Sequence, residues 1–271
     1  MKPRMVLYCL LGGLPTTIAA LGMGGLASWW LSGIVLAAAF VPVALFGPRR
    51  ALTQFGVIAP VLFLVTAFCT WTEAMLFMPD FRQSAVRNLV GGTVMYLIVA
   101  AVLAALAAML KLPRASDHTV PHRSLPKAMV VVVAGGFAYA VYYLIFGAIT
   151  YQYFTHGYYP EAAHQAERLG LWFWGIQIGR GALMTLAVLP VIYTLRMKRW
   201  HAALAVATII WVAGGLSPLL VPNAFMGTTQ RLIHIVEILA QNASLGITAV
   251  FLLRPGTAER RAPTAATTMA A

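Results

Sequence analysis

The sequence predicts an all-α fold, a polytopic integral membrane bundle of about eight transmembrane helices. Of its 271 residues, 61% are hydrophobic and only 10% are charged, and the mean hydropathy is +0.81. Soluble domains carry about 25% charged residues, so most of this surface must face lipid rather than water. The apolar residues also form long runs, and the basic residues lie mainly in the short links between them.

Eight apolar runs approach the length of about 20 residues that a membrane-spanning helix needs. The first is interrupted by "GGLPTT", and only "GGLAS" separates it from the second. The start "MKPRMVLYCLLGG" is also compatible with a signal peptide, but no small-residue cleavage site follows, so we expect a retained first helix. The runs cover residues 5–25, 29–47, 53–78, 89–110, 128–153, 171–195, 202–221 and 232–253.

The basic residues predict the orientation of the bundle. With the N-terminus in the cytoplasm, most Lys and Arg side chains fall inside, as is typical of membrane proteins, and only Arg82, Arg87, Arg168 and Arg231 fall outside. An even number of spans then places both termini in the cytoplasm, and we expect a bacterial-type inner membrane. The basic residues of the cytoplasmic links thus account for the net charge of +12. We expect the lipid bilayer as a partner, and no nucleic acid.

The chain divides into a transmembrane domain, residues 1–253, and a cytoplasmic tail, 254–271, whose Ala, Thr and Pro content predicts disorder. Within the domain, "FMPDFRQSAVRNLVGG" joins the third run to the fourth, and "LVPNAFMGTTQRLIHI" joins the seventh to the eighth. Both links pass from apolar residues through Pro and Asp or Asn to an Arg before a new helix. This short match suggests a 4 + 4 parallel repeat, of a kind found in transport folds.

Four ionisable side chains lie inside the predicted spans: Glu73, Arg180, His234 and Glu237. Such groups are costly in a bilayer and usually face a cavity or a partner. At a rise of about 1.5 Å per residue, Glu73, Arg180 and Glu237 lie roughly 10, 13 and 9 Å from the outer ends of their helices. Because three separate helices carry charges at a similar depth, we expect one shared polar site in the outer half of the bilayer.

Polar side chains extend these groups along one face of each helix. On the eighth run, a stripe from His234 to Thr248 covers only about 80° of the helix circumference. Gln177 lies one turn before Arg180. On the fifth run, Tyr143 belongs to an aromatic face that either packs against neighbouring helices or hydrogen-bonds the site. The candidate substrate- or ion-binding residues are therefore Glu73, Tyr143, Gln177, Arg180, His234, Glu237 and Gln241.

Three interpretations of this cluster are open. An Arg–Glu pair fixes helix packing in a non-catalytic membrane subunit. Alternatively, the carboxylates and the histidine handle protons or a cation and Arg180 holds an anionic group, as in a small-solute or proton-linked carrier. In the third, Glu73, His234 and Glu237 bind the metal ion of an intramembrane enzyme, because "HIVE" places an imidazole and a carboxylate on one helical face.

The carrier is the leading hypothesis. The sequence has no Walker A motif and no dinucleotide fingerprint, so we do not expect bound nucleotide to supply the energy. No residue is assigned as catalytic. The cofactor, the solute and the oligomeric state are left open by the sequence.

Overall fold

The computed structural model describes residues 2–22, 24–112, 120, 123–158, 162–223 and 225–254. Every regular element in these residues is helical, and seven helices are long and apolar enough to cross a membrane. The predicted all-α polytopic bundle is therefore confirmed. The helices are α1 (Lys2–Gly12), α2 (Leu14–Ala19), α3 (Leu26–Phe46), α4 (Ala51–Phe77), α5 (Phe81–Met109), α6 (Leu125–Thr155), α7 (Ala162–Leu169), α8 (Leu171–Thr194), α9 (Arg199–Leu220) and α10 (Thr228–Leu253).

The first apolar run forms the two short helices α1 and α2 instead of one long helix. Pro15, near the start of α2, cannot donate a backbone hydrogen bond, so the α-helix is interrupted there. The segment still runs along α3 and α5. Thr16 Oγ1 donates to Trp29 O at 2.9 Å, and Arg4, at the other end, donates to Lys111 O at 3.4 Å. Its full length is about 27 Å. The count of eight spans stays a prediction, as does disorder of the tail, which except for Arg254 lies outside the described residues.

Three of the spanning helices contain a π-helical segment, and the one in α6, Tyr151–Thr155, lies at the end of its helix. The other two, Leu62–Cys69 in α4 and Val212–Leu216 in α9, are internal and pack against each other. A π-helix is rare and often occurs at functional sites. A proline lies close to each internal segment, Pro60 before the one in α4 and Pro218 after the one in α9, and each removes a backbone donor. Both helices therefore carry a local departure from α-helical geometry, where bending is easier than in a regular helix.

The packing of the helices is repeated in the two halves of the chain. In the first half, α1 and α2 pack on α3 and α5, and α4 packs on α5. In the second half, α6 packs on α8 and α10, and α9 packs on α10. Between the halves, α3 packs on α9, and α8 packs on α4. These contacts match α1–α2 with α6, α3 with α8, α4 with α9 and α5 with α10, as a 4 + 4 repeat requires, while α8 also packs on α9 and α10. The repeat itself stays a prediction.

The links between the helices lie on two faces of the bundle. We call the basic face the one that holds residues 47–50, 110–112, 123–124 and 195–198, where Arg196 N donates to Phe46 O at 2.9 Å. The opposite face holds the start of α5 and residues 221–223 and 225–227, where the ring centroids of Phe81 and Phe225 are 5.7 Å apart. The basic face is the one that the sequence predicts to be cytoplasmic.

Helix α8 lies between α4, α6 and α10. Its approach to α6 is close, because Gly181 lies directly against Tyr139, with no room for a side chain. Small residues allow such contacts between membrane helices. This position carries Gln177 and Arg180, one turn apart on α8, into the interior, where they are 0% and 7% exposed.

Candidate functional site

A buried ion pair joins Arg180 on α8 to Glu73 on α4. Arg180 Nη1 contacts Glu73 Oε2 and also donates to Gln177 Oε1 at 2.6 Å. The side chain of Arg180 is 8% exposed and that of Glu73 is 30% exposed. A charge in an apolar interior is tolerated only with a partner, so each residue makes burial of the other possible.

Two tyrosines on α6 surround this pair. The Tyr143 hydroxyl donates to Glu73 Oε1 at 2.9 Å. One turn earlier, the ring of Tyr139 faces the Arg180 guanidinium, with Cζ 5.6 Å from the ring centroid. A cation over an aromatic face is stabilised by the ring quadrupole. Three spanning helices therefore hold the ion pair: α4, α6 and α8.

The π-helical segment of α4 ends one turn before Glu73 and contacts α8. Cys69, its last residue, is fully buried and lies with its Sγ 3.8 Å from the backbone oxygen of Arg180. A thiol is a weak hydrogen-bond donor, but its small size lets the two helices approach. This contact therefore lies between the two helices that carry Glu73 and Arg180.

A second polar group lies on α10. His234 Nδ1 is 2.8 Å from Glu237 Oε2, and the i, i+3 spacing places both side chains on one helical face. Gln241, one turn further, donates from Nε2 to Glu237 Oε1 at 2.9 Å. His234 is 21% exposed and Glu237 is 11% exposed, so the imidazole and carboxylate are largely withdrawn from the surface.

The two groups adjoin at Gly147 on α6. A Cβ atom at Gly147 would lie 3.5 Å from Glu237 Oε1, 3.8 Å from Gln241 Nε2 and 3.9 Å from Tyr143 Cδ1. The structure thus brings all seven candidate residues into one region of the bundle. Their roles in binding stay a prediction.

The lower part of the predicted α10 stripe belongs to a different contact. Thr248 lies about 16 Å along the helix from Glu237 and shares a hydrogen bond of 2.7 Å with the hydroxyl of Tyr142 on α6. Between them, Asn242 donates to Ile210 O on α9 at 3.2 Å. These bonds connect α10 to its two neighbours rather than to the ion pair.

Three ligands for a metal ion do not come together. In the described part of the chain, no group of three or more His, Cys, Asp or Glu side chains is arranged to hold a metal ion. The alternative set, Glu73, His234 and Glu237, is divided between the two groups, because Arg180 and Tyr143 bind Glu73.

Two hydrogen-bond donors at the ion pair have no acceptor among the described residues: Arg180 Nε and Gln177 Nε2. The amide of Gln177 has a defined orientation, because its Oε1 accepts from Arg180. A buried donor without an acceptor costs about 1–3 kcal/mol. The site therefore has more buried donors than acceptors.

Sequence reasoning missed one buried polar contact, between Ser32 on α3 and Ser217 on α9. Ser32 Oγ lies 2.8 Å from Ser217 Oγ. Serine in an apolar run carries no specific signal, because its hydroxyl is usually satisfied by a carbonyl of its own helix.

Comparisons with protein-family models, with curated proteins and with solved structures find no match to this chain. The geometry and chemistry of the site are therefore the basis for its function.

Proposed function

We propose that the protein is a proton-linked carrier of a small solute in a bacterial-type inner membrane, with its basic face in the cytoplasm. One observation carries this proposal: two ionisable pairs, from three apolar helices, adjoin inside the bundle. Ionisable residues in membrane helices are rare and often form solute or proton pathways.

The charge of the cluster suits a proton-linked process. The cluster contains two carboxylates, Glu73 and Glu237, for one arginine, Arg180. Uptake of one proton by a carboxylate would therefore leave one negative charge for the one positive charge. Histidine is the side chain best suited to exchange a proton near neutral pH. A proton can therefore enter without adding net charge to an apolar interior.

The location of the ion pair suits a moving element. Glu73 belongs to the first half of the chain and Arg180 to the second, so the pair bridges the two halves. Transporters built from repeats commonly move one half against the other around a site between them. The π-helical segment that precedes Glu73 in α4 provides a point of bending. Movement of the halves would then make and break the bond between Glu73 and Arg180.

A non-catalytic membrane subunit is the second candidate function. It is favoured by the number of contacts that join α4 to α8, because the ion pair and the thiol of Cys69 both connect these helices. Polar contacts between membrane helices can serve association alone.

Proton flux into liposomes tests the carrier. Purified protein is reconstituted with a pH-sensitive dye inside, and mixtures of small acids, amines, sugars and amino acids are added outside in turn. We expect at least one mixture to change the internal pH faster than in empty liposomes. Glu73→Gln and Glu237→Gln should lower this rate at least about tenfold, because each removes a proton-binding carboxylate.

Glu167→Gln is the matched control, because Glu167 is an 83% exposed carboxylate on α7, outside the cluster. It should transport like the parent protein. If the parent protein is indistinguishable from empty liposomes with every mixture, the carrier hypothesis fails and the subunit hypothesis gains support.

A further inference from the structure

We propose that the transported solute is a small monocarboxylate with an apolar body, which replaces Glu73 on Arg180 when Glu73 takes up a proton. This inference rests on the carrier function proposed above and identifies its class of solute. It follows from the unpartnered donors at the ion pair, from the charge balance and from the aromatic side chains next to them.

The donors match a free carboxylate better than they match Glu73. Glu73 contacts Arg180 through Nη1, and Nε of the same guanidinium has no acceptor. Gln177 Nε2, a second unpartnered donor, belongs to a side chain that is 0% exposed. A planar carboxylate that is free to orient can accept from two guanidinium nitrogens at once. Glu73 is attached to α4 and does not make this second contact.

The charge balance couples the solute to the proton. If Glu73 were protonated without a solute, Arg180 would be a buried charge without a counter-ion. If the anion bound beside an ionised Glu73, two negative charges would share one arginine. Both states are unfavourable in an apolar interior. The empty site and the site with one proton and one monoanion are both balanced, so the two ligands bind together.

The proton balance of this step is simple. The solute arrives as its carboxylate anion, and a proton from water forms one O–H bond on Glu73. The bond between Glu73 and Arg180 is then replaced by one between the solute and Arg180. Release reverses each change, and no other bond is formed or broken.

Aromatic rings next to the pair indicate the body of the solute. Phe77 lies one turn beyond Glu73 on α4, and Phe173 lies one turn before Gln177 on α8, so both are nearer the opposite face. Their ring centroids are 6.1 Å apart, and Phe173 is 5.9 Å from the ring of Tyr143. A solute held by Arg180 would extend its remaining atoms towards this aromatic group. A hydrocarbon or aromatic body fits there better than a polyhydroxylated one.

Other groups near Glu73 also titrate or carry charge, so the pH experiment needs variants that separate them. Within the cluster, Glu237 is the other carboxylate. The titratable and charged groups of the elements around Glu73 are Cys69 on α4, Arg82 and Arg87 near the start of α5, Tyr139 and Tyr143 on α6, His164, Glu167 and Arg168 on α7, Arg180 on α8, and His234 and Glu237 on α10.

The test measures binding of benzoate to the purified protein in detergent. Calorimetry gives the affinity, and a pH indicator in weakly buffered solution gives the proton uptake. We expect about one proton per bound benzoate, and an apparent affinity that falls about tenfold per pH unit as protons become scarce. Propionate should bind more weakly in the same manner. Benzamide and benzylammonium, which have the same ring without the negative charge, should not bind.

Variants test which residue binds the proton and which residue binds the anion. Glu73→Gln imitates the protonated residue, so it should bind benzoate without proton uptake and with an affinity independent of pH. Because Glu73→Gln keeps Glu237, loss of the uptake in this variant assigns the proton to Glu73. Glu167→Gln, outside the cluster, should behave like the parent protein in every respect. Glu73→Gln with Arg180→Gln keeps the site neutral and should fold, but should not bind benzoate.

Three outcomes would overturn the proposal: no binding of either acid at any pH, binding without proton uptake in the parent protein, or binding that survives in the double variant. Preference for benzylammonium would also overturn it. If an amine or a sugar drives proton flux in liposomes and benzoate does not bind, the carrier function is supported but the monocarboxylate proposal is wrong. Coupled benzoate binding without any flux would remove the carrier and leave an anion-binding protein.

Discussion

Ser32 on α3 and Ser217 on α9 hydrogen-bond each other at an interface that corresponds to the one held by Glu73 and Arg180. Ser32 Oγ is 2.8 Å from Ser217 Oγ and 2.7 Å from Ser217 O, and both serines are buried. In the repeated packing, α3 takes the place of α8 and α9 takes the place of α4. A neutral pair therefore holds one of the two related interfaces, while a charged pair holds the other.

The two partners of the ion pair should depend on each other for stability. Glu73→Gln and Arg180→Gln should each lower the free energy of unfolding by about 1–3 kcal/mol, because each leaves a charged or polar partner unsatisfied. The double variant should lose less free energy of unfolding than the two single variants lose together. Thermal unfolding in detergent, followed by tryptophan fluorescence, measures all three. Strictly additive effects would show that the two side chains do not interact in solution.

The hydroxyl of Tyr143 should affect the proton chemistry of Glu73. Tyr143→Phe removes a donor to the carboxylate while keeping the ring, so we expect a destabilisation of about 0.5–1.5 kcal/mol. The pH profile of proton flux should also move, since the ionised form of Glu73 loses a hydrogen bond. Tyr142→Phe is the matched control, because Tyr142 lies on the same helix as Tyr143 but hydrogen-bonds Thr248 on α10, away from the ion pair. An equal shift of both profiles would contradict this role for Tyr143.

The contact between α9 and α10 should not tolerate a larger residue at Gly246. A Cβ atom there would lie 2.7 Å from Ala207 Cα and 2.8 Å from Ala207 N, so the backbones would have to separate. Gly246→Ala should therefore cost about 1–3 kcal/mol. Gly175→Ala, where a Cβ would meet no atom within 4 Å, should be neutral or slightly stabilising. The prediction is wrong if unfolding in detergent gives both variants the same stability.

Arg254 should stabilise the basic face through the end of α8. It is 2% exposed and donates to the backbone oxygens of Ile192, Leu195 and Met197. The last carbonyls of a helix have no partner in the helix itself. Burial lowers the pKa of Arg254 to about 10, so it is still charged at pH 7. Arg254→Ala should cost about 1.5–3 kcal/mol in thermal unfolding, while Lys127→Ala, an exposed cation on the same face, should have little effect.

Cysteine labelling should determine the orientation and the number of crossings. In a variant without Cys9 and Cys69, Gly227→Cys should react with an impermeant maleimide on intact cells. Lys198→Cys, on the basic face, should react only after the membrane is broken. If α1 and α2 cross the bilayer, Arg4→Cys should behave like Lys198→Cys. Labelling of Arg4→Cys on intact cells would instead favour seven crossings.

The sequence predicted the parts of the fold that depend on hydrophobicity alone. Long apolar runs became the seven spanning helices, because a run of about 20 apolar residues has few alternatives to a helix in lipid. The π-helical segments were not predicted. Their residues are as apolar as those of neighbouring turns. Hydropathy therefore does not distinguish the backbone hydrogen bonds of a π-helix from those of an α-helix.

For the site, the depth of each charged side chain in the membrane could be predicted, but the rotation of each helix about its own axis could not. Counting residues from the helix ends placed Glu73, Arg180 and Glu237 at a similar level. The structure brings Glu73 and Arg180 into contact and places Glu237 beside Gly147, one turn from Tyr143. The sequence left open whether Arg180 pairs with Glu73 or with Glu237. That choice depends on the rotation of α8 relative to α4 and α10, which close contacts such as Gly181 against Tyr139 determine.

The bridging position of the ion pair has a consequence for how the molecule can be assembled. Within the chain, only the link from Met109 to Leu125 connects the halves covalently, while Glu73 and Arg180 meet across their interface. The molecule thus resembles a dimer whose two subunits are joined by a single covalent link. Two separately synthesised polypeptides, one ending at Leu112 and the other beginning at Arg123, should associate in the bilayer. Each would then supply one charge of a salt bridge between two molecules.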